Sequence, residues 1–158
     1  MGTKAKMDQL SATTAQSQGS LRAVNDVLKA AVFAAEKHSG QRRKGAAAEP
    51  YINHLLEVAE LVSNAMSEPD TNLVIAALLH DSIEDVGLTK EELVHAFGPD
   101  VADLVAELTD DKSLTKAERK RLQIVNEPKI SVRAQLIKLA DNISNLRAIR
   151  SCPPAVGA

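Results

Sequence analysis

Residues 80–85, His-Asp-Ser-Ile-Glu-Asp, bring four ionisable side chains together directly after an apolar run. On a helix, His80 and Glu84 lie one turn apart, as do Asp81 and Asp85. Burial of such groups is costly unless they are paired or bind a metal ion. Because imidazole and carboxylate together suit a divalent transition metal, the segment is a candidate metal site. The competing interpretation is a solvated helix C-terminus, where acidic residues are common.

Two distant residues strengthen the metal interpretation. His54 lies on the inward side of a predicted helix, and Asp141 follows the apolar residues of another. A single His or Asp on an apolar face is usually a hydrogen-bonded core group. Together with His80 and Asp81, however, these residues form a plausible set of four metal ligands.

The elements that must position these residues are predicted to be helices. Apolar residues, among them Leu21 and Leu28, recur at spacings of three and four over 20–37 and predict an amphipathic helix with these residues on its apolar side. Pro50 opens a second helix. The apolar run 73–79 predicts a buried central helix; a buried strand is the alternative, but the alanines and the length favour a helix. Capping boxes begin at Thr89 and Thr115. Further helices are predicted over 101–108 and 132–150. With no strand pair and no glycine-rich phosphate loop, the predicted fold class is all-α.

Composition limits the classes of function. The 158 residues suit one domain, and a net charge of −2 gives no general attraction to nucleic acid or to an anionic membrane. No apolar run is long enough to span a bilayer. The single cysteine, Cys152, forms no internal disulfide, which fits a cytoplasmic location. Residues 1–19 are polar and are expected to be a flexible leader or tag, and residues 155–158 a short tail.

Several blocks of the chain, in order, resemble the hydrolase domain of the RelA/SpoT-type HD phosphohydrolases. The motifs are His-Ser-Gly-Gln-Arg-Arg-Lys at 38–44, Pro-Tyr-Ile-Asn-His at 50–54 and the run that ends in His-Asp-Ser-Ile-Glu-Asp at 85; similar blocks lie at 109–114, 118–123 and 138–147. No synthetase domain accompanies them, so the chain looks like a stand-alone small alarmone hydrolase of the animal SpoT-homologue type. The resemblance implies one compact HD-domain helical bundle over residues 20–154.

The resemblance also implies a reaction. One Mn²⁺ would be held by His54, His80, Asp81 and Asp141. Glu84 and Asp85 match the acidic pair that serves as general base and proton shuttle. The substrate would be a guanosine nucleotide, (p)ppGpp, and loss of its 3′-pyrophosphate would give GDP or GTP plus pyrophosphate.

Arg43, Lys44 and Asn145 match family residues of the nucleotide pocket, and Tyr51 is a candidate for packing beside the base. Each has a simpler interpretation. Arg43 and Lys44 can be part of a solvated basic loop, Tyr51 a half-buried core residue and Asn145 a helix-surface amide. His38 is expected to be structural, His95 to face solvent, and Asp110, Asp111 and Lys112 to lie near the pocket or in a turn.

Two departures from the family pattern leave other functions open. Asn142 stands where the family often has lysine, and the family's usual C-terminal helix is not expected after Pro153-Pro154. Apolar surface that this helix normally covers would then be exposed. The alternatives are a phosphatase acting on another phosphorylated nucleotide, such as NADPH, and a nucleotide-binding module without turnover. The oligomeric state is left open.

Overall fold

The structure is a computed structural model that describes residues 3–44, 47–110, 113–126 and 129–151. These residues form eight helices and no strand, which confirms the predicted all-α class. The helices are α1 (Thr3–Lys37), α2 (Tyr51–Ala65), α3 (Thr71–Leu79), α4 (Ser82–Val86), α5 (Lys90–Phe97), α6 (Pro99–Leu108), α7 (Lys116–Asn126) and α8 (Val132–Ser151). None of the helices in these ranges is long and apolar enough to cross a membrane.

Helix α3 is the centre of the core. It packs against α1, α2 and α6, and α2 packs in turn against α8. Every residue from Ile75 to Leu79 is buried. The predicted central helix is therefore confirmed, and its apolar character on all sides follows from having neighbours on several sides.

Helix α1 differs from the prediction in its start and in its buried face. It begins at Thr3 rather than near Ser20, because the segment has no proline and only one glycine to interrupt a helix. Leu21 and Leu28 are 72% and 57% exposed, whereas Ala30 and Ala34 are fully buried. Small alanine side chains allow α1 to approach α3 closely, so the stripe of larger residues is not the packed one. The domain boundary at residue 20 stays a prediction.

The predicted helix starts are confirmed where capping residues mark them. Thr89 and Glu92 form a reciprocal capping box at α5. At α7 the Glu118 N–H donates to Thr115 Oγ1 and the Thr115 N–H donates to Glu118 Oε2. Helix α5 ends before Gly98, whose φ of 88° is in a region that favours glycine. These signals are local, which is why the sequence alone shows them.

The predicted continuous helix through residues 80–85 is interrupted. Helix α3 ends at Leu79, His80 and Asp81 form a turn, and α4 begins at Ser82. Asp81 has φ −95° and ψ 2°, outside the helical region. The Asp85 N–H still donates to the Asp81 carbonyl at 2.8 Å. The interruption of the helix therefore falls at the His-Asp pair of the predicted metal site.

A charged cluster joins the first turns of α3, α6 and α8. The Arg133 guanidinium contacts both carboxylate oxygens of Asp100, at 2.8 and 3.0 Å, and its Nε lies 2.8 Å from Asp70 Oδ2. Asp70 also caps α3 by accepting from the Leu73 N–H, and Asn72 donates to Asp100. This Arg133 clamp fixes α8 relative to α3, the two helices that lead into the candidate site.

Candidate metal centre

Four predicted ligands converge from three parts of the fold. His54 comes from α2, His80 and Asp81 from the turn after α3, and Asp141 from α8. His54 Nε2 lies 3.2 Å from Asp141 Oδ1, and His80 Nε2 lies 3.1 Å from Asp81 Oδ2. The two crossed distances, His54 to Asp81 and His80 to Asp141, are both 3.8 Å. His54, His80 and Asp81 each offer a ligand atom within 4.8 Å of the others.

The centre is buried on its imidazole side and open on its carboxylate side. The residue exposures of His54 and His80 are 1% and 6%. Asp81 and Asp141 are partly exposed. A bound ion would therefore be held by buried nitrogen ligands and remain reachable by a substrate from solvent.

The hydrogen bonds of His80 leave its Nε2 available. Its Nδ1 lies 2.8 Å from the carbonyl oxygen of Ala77, which only accepts, so the network assigns a proton to Nδ1. The buried Nε2 has no hydrogen-bond partner among the described residues, although it lies 3.1 Å from Asp81 Oδ2. A buried nitrogen of this kind, facing two carboxylates, fits a divalent metal ion.

The charged groups of the centre shift one another's pKa values. Burial lowers the pKa of His80, but the Asp81 and Asp141 carboxylates outweigh burial and raise that pKa to about 10. Burial raises the pKa of Asp81, whereas His80 and the hydroxyl of Tyr51 hold it below its ordinary value. The pKa of Asp141 is also lowered, because both histidines outweigh its burial. In the metal-free centre the His80 proton supplies the positive charge that these two ionised carboxylates attract, and a bound cation would take its place.

Tyr51 supports Asp81. Its hydroxyl donates to Asp81 Oδ2 at 2.6 Å, and its ring stacks on His38 at a centroid distance of 5.5 Å. Burial and the neighbouring Asp81 raise the pKa of the Tyr51 hydroxyl, so it remains a donor. The predicted contact with a base stays a prediction, but the structure adds a contact that the sequence did not indicate.

The acidic pair lies on α4, next to the centre. Gln41 Nε2 donates to Asp85 Oδ2 at 2.7 Å, and Gln41 Oε1 lies 2.5 Å from His38 Nδ1. Arg119 Nη1 on α7 lies 3.9 Å from Glu84 Oε1. His38 is thus a buried structural residue, consistent with its predicted role, and it holds the glutamine that orients Asp85.

Of the other predicted pocket residues, Arg43 and Asn145 are linked to the centre by hydrogen bonds, whereas Lys44 is exposed to solvent. Asn145 Nδ2 donates to Asp141 Oδ1 at 2.7 Å, and its Oδ1 accepts from Arg43 Nη2 at 3.0 Å. The Arg43 side chain is only 13% exposed, so it is held against α8 rather than solvated. Lys44 is exposed, as is His95. Asp111 and Lys112 lie outside the described residues.

Two residues that support His54, Ser144 and Glu57, were not predicted from the sequence. Ser144 Oγ lies 2.9 Å from His54 Nδ1 and donates to Glu57 Oε2 at 2.7 Å. Glu57 lies one turn after His54 on α2, which is the only signal that the sequence offers for it. Nothing in the spacing indicates Ser144, because 90 residues separate it from His54.

Comparison with known protein families identifies the family to which this chain belongs. The family model described as HD domain matches residues 30–157, which is most of the chain. The chain belongs to the HD domain family. The HD domain is a metal-dependent hydrolase fold, so this HD-domain protein is a hydrolase.

Relatives place the HD-domain protein in the RelA/SpoT-type branch. It is 52% identical over 128 residues to the guanosine-3′,5′-bis(diphosphate) 3′-pyrophosphohydrolase MESH1 of Xenopus tropicalis, covering 81% of this chain and 72% of that protein. The human MESH1 is 48% identical with the same coverage. A GTP pyrophosphokinase rsh of Brucella ovis is 39% identical over 134 residues, which are 80% of this chain but 17% of that protein.

A solved structure agrees with the sequence relatives. It is described as a metazoan orthologue of SpoT that hydrolyses ppGpp, and it superposes with a TM-score of 0.79 at 46% identity. The match covers 84% of this chain and 75% of the other. The predicted single HD-domain helical bundle is thereby confirmed.

Proposed function

We propose that this HD-domain protein removes the 3′-pyrophosphate of (p)ppGpp, giving GDP or GTP plus pyrophosphate, with one Mn²⁺ as cofactor. The observation that carries the proposal is the convergence of His54, Asp81 and Asp141 on His80, whose Nε2 has no hydrogen-bond partner in the part of the chain that the structure describes. The similarity to MESH1 proteins named for this reaction supports the choice of substrate.

The four residues would hold the ion through two neutral imidazoles and two carboxylates. This mixed nitrogen and oxygen set suits Mn²⁺, although geometry of this kind also admits other divalent ions. When bound, the ion lowers the pKa of water and offsets charge on the phosphate oxygens.

The chain's own residues would move the protons. Glu84 or Asp85 accepts one proton from the attacking water, whose oxygen bonds to the phosphorus that carries the ribose 3′ oxygen. The bond between that phosphorus and the 3′ oxygen breaks, and the 3′ oxygen takes a proton from the same acidic pair. Gln41 orients the Asp85 carboxylate for this transfer by donating to its Oδ2 at 2.7 Å.

Arg43, Lys44, Tyr51 and Asn145 would bind the guanosine nucleotide. Their charges and amide suit a polyanionic ligand, and Asn145 already links Arg43 to Asp141. We place the enzyme in the cytoplasm and propose no nucleic-acid partner, since its net charge is −2.

The substrate is tested by a product analysis. Metal-free protein is incubated with ppGpp and, in parallel, with NADPH, with and without Mn²⁺. We expect GDP and pyrophosphate from ppGpp, only with Mn²⁺. Single phosphate released from NADPH, with ppGpp intact, would reassign the enzyme as a nucleotide phosphatase. No product from either substrate, in folded and metal-loaded protein, would indicate a binding module.

A further inference from the structure

Ser144 lies between an acid and a ligand of the candidate metal centre. It is fully buried on α8. We propose that Glu57 and Ser144 act as positioning residues that fix the proton of His54 on Nδ1 and so direct its Nε2 toward the metal ion. This inference rests on the proposed metal site and extends it to residues behind the ligands.

The direction of the hydrogen bonds follows from what each group can donate. An ionised carboxylate only accepts, so the single hydrogen of the Ser144 hydroxyl points to Glu57 Oε2, at 2.7 Å. With that hydrogen used, Ser144 Oγ can only accept in its 2.9 Å contact with His54 Nδ1. Nδ1 must therefore carry the proton, and the lone pair of a neutral His54 is on Nε2.

Arginines keep Glu57 in its accepting form. Arg147 Nη1 lies 3.0 Å from Glu57 Oε1, and Arg43 Nη1 lies 3.9 Å from Oε2. Burial raises the pKa of Glu57, but the hydrogen bonds from Ser144 and Arg147 hold it below its ordinary value. Arg43 Nη1 also approaches Ser144 Oγ at 3.4 Å, and as a donor it does not compete for the hydroxyl hydrogen.

The same three residue types form the nucleophilic triad of serine hydrolases, but their order here excludes that role. In a triad the histidine lies between the acid and the serine. Here the serine lies between Glu57 and His54 and has no exposed surface. Ser144 thus cannot reach a substrate, and its contribution passes through His54.

His80 shows the same orientation achieved by the backbone. Its Nδ1 contacts the Ala77 carbonyl, which no side-chain substitution removes. His54 instead depends on side chains from α2 and α8. The orientation of His54 can therefore be tested by mutation, whereas that of His80 cannot.

The test compares Ser144→Ala with the conservative Ser144→Thr and with Ser63→Ala. Ser63 is an exposed serine of α2 whose hydroxyl donates to the Glu60 carbonyl. Mn²⁺ affinity is measured by competition with a chelator. Zn²⁺, a diamagnetic substitute, is used to record the Nδ1–H resonance of His54 in the metal-loaded protein by ¹H–¹⁵N NMR.

We expect Ser144→Ala to weaken Mn²⁺ binding by about 10- to 100-fold and to make the His54 Nδ1–H exchange rapidly. Ser144→Thr should restore both properties, and Ser63→Ala should match wild type. Glu57→Ala should resemble Ser144→Ala, because the freed hydroxyl could then donate to His54.

Three outcomes are decisive. Wild-type affinity and a slowly exchanging Nδ1–H in folded Ser144→Ala would overturn the inference while the metal site stands. If Ser144→Ala does not fold, the wild-type spectrum decides, since metal on Nδ1 of His54 would also overturn it. A wild-type protein that binds no Mn²⁺ would overturn the proposed metal site itself.

Discussion

In each histidine of the centre, Nδ1 contacts the protein behind the ring and Nε2 faces the carboxylates. Nδ1 of His80 is held by a backbone carbonyl and Nδ1 of His54 by Ser144, so both Nε2 atoms face Asp81 and Asp141. The two carboxylates would supply the negative charge that attracts the metal ion, and the two imidazoles would fix its position. Loss of a carboxylate should therefore abolish metal binding rather than shift the ion within the site.

Asp81→Ala tests that expectation. Asp81 contacts both imidazoles and accepts from Tyr51, so its removal takes away a proposed ligand and a partner of all three side chains. We expect no bound Mn²⁺ by elemental analysis and a fall in turnover of at least about 100-fold. Asp103→Ala, a remote exposed aspartate paired with Lys90, is the control. Turnover retained by Asp81→Ala would contradict the metal assignment.

The acidic pair should behave differently. Glu84→Gln combined with Asp85→Asn removes the proposed proton acceptors but leaves the four proposed ligands intact. We expect Mn²⁺ content to match wild type and turnover to fall by about 10²- to 10⁴-fold. Metal content and single-turnover rates, measured on the same sample, separate the two effects. A double variant without metal would mean that an acidic residue of α4 is itself a ligand.

The sequence alone indicates the candidate ligands but not the residues that hold them in place. His54, His80, Asp81 and Asp141 stand out because ionisable residues are unusual beside apolar runs. Ser144 and Glu57 do not stand out, because serine and glutamate are common on helices. Their role depends on a contact between α2 and α8 that only the folded chain creates.

The Arg133 clamp fixes the position of helix α8 relative to helix α3. Arg133 contacts Asp70 and Asp100 in the first turns of two other helices. The pKa of Asp100 is lowered, chiefly by the hydrogen bond from Arg133 and then by that from Asn72. A carboxyl group with a lowered pKa stabilises the fold above its unfolded pKa and loses this effect as pH falls.

Arg133→Gln should therefore destabilise the protein in a pH-dependent way. These groups are partly exposed, so we expect a loss of about 1 kcal/mol in the free energy of unfolding at pH 7. The difference from wild type should shrink as pH falls below about 4, because Asp100 then becomes protonated. Urea denaturation at several pH values measures it, with Arg22→Gln on α1 as control. A constant difference across pH would show that the charges are not responsible.

Elements were predictable where their signals are local. The capping boxes of α5 and α7 and the apolar run of α3 are properties of a few adjacent residues. The turn at His80 and Asp81 was not, because residues 80–85 have a helical pattern and the turn depends on surrounding contacts. The packed face of α1 was not predictable either, since Ala30 and Ala34 owe their burial to the position of α3.

For the whole molecule, the centre joins segments that are far apart in sequence. Residue 54 belongs to α2, residues 80 and 81 follow α3, and residue 141 belongs to α8. An ion bound there connects these parts in the folded state, and the unfolded chain cannot hold the same arrangement. Metal binding should thus stabilise the fold as a whole.

Thermal unfolding checks this coupling. At a free Mn²⁺ concentration of about 100 times Kd, the stabilisation is about 2.7 kcal/mol, which corresponds to a rise in Tm of about 5–10 °C. Addition of EDTA should reverse the rise. Asp81→Ala should show no rise at the same concentration. An equal rise in that variant would indicate that Mn²⁺ binds elsewhere on the protein.

The most direct test of the proposed reaction is a titration of metal-free protein with Mn²⁺ while pyrophosphate release from ppGpp is followed. We predict no release without metal, release that saturates at one bound Mn²⁺ per chain, and pyrophosphate rather than single phosphate as product. Release that is complete without metal, or ppGpp that stays intact in folded protein carrying one Mn²⁺, would contradict the account.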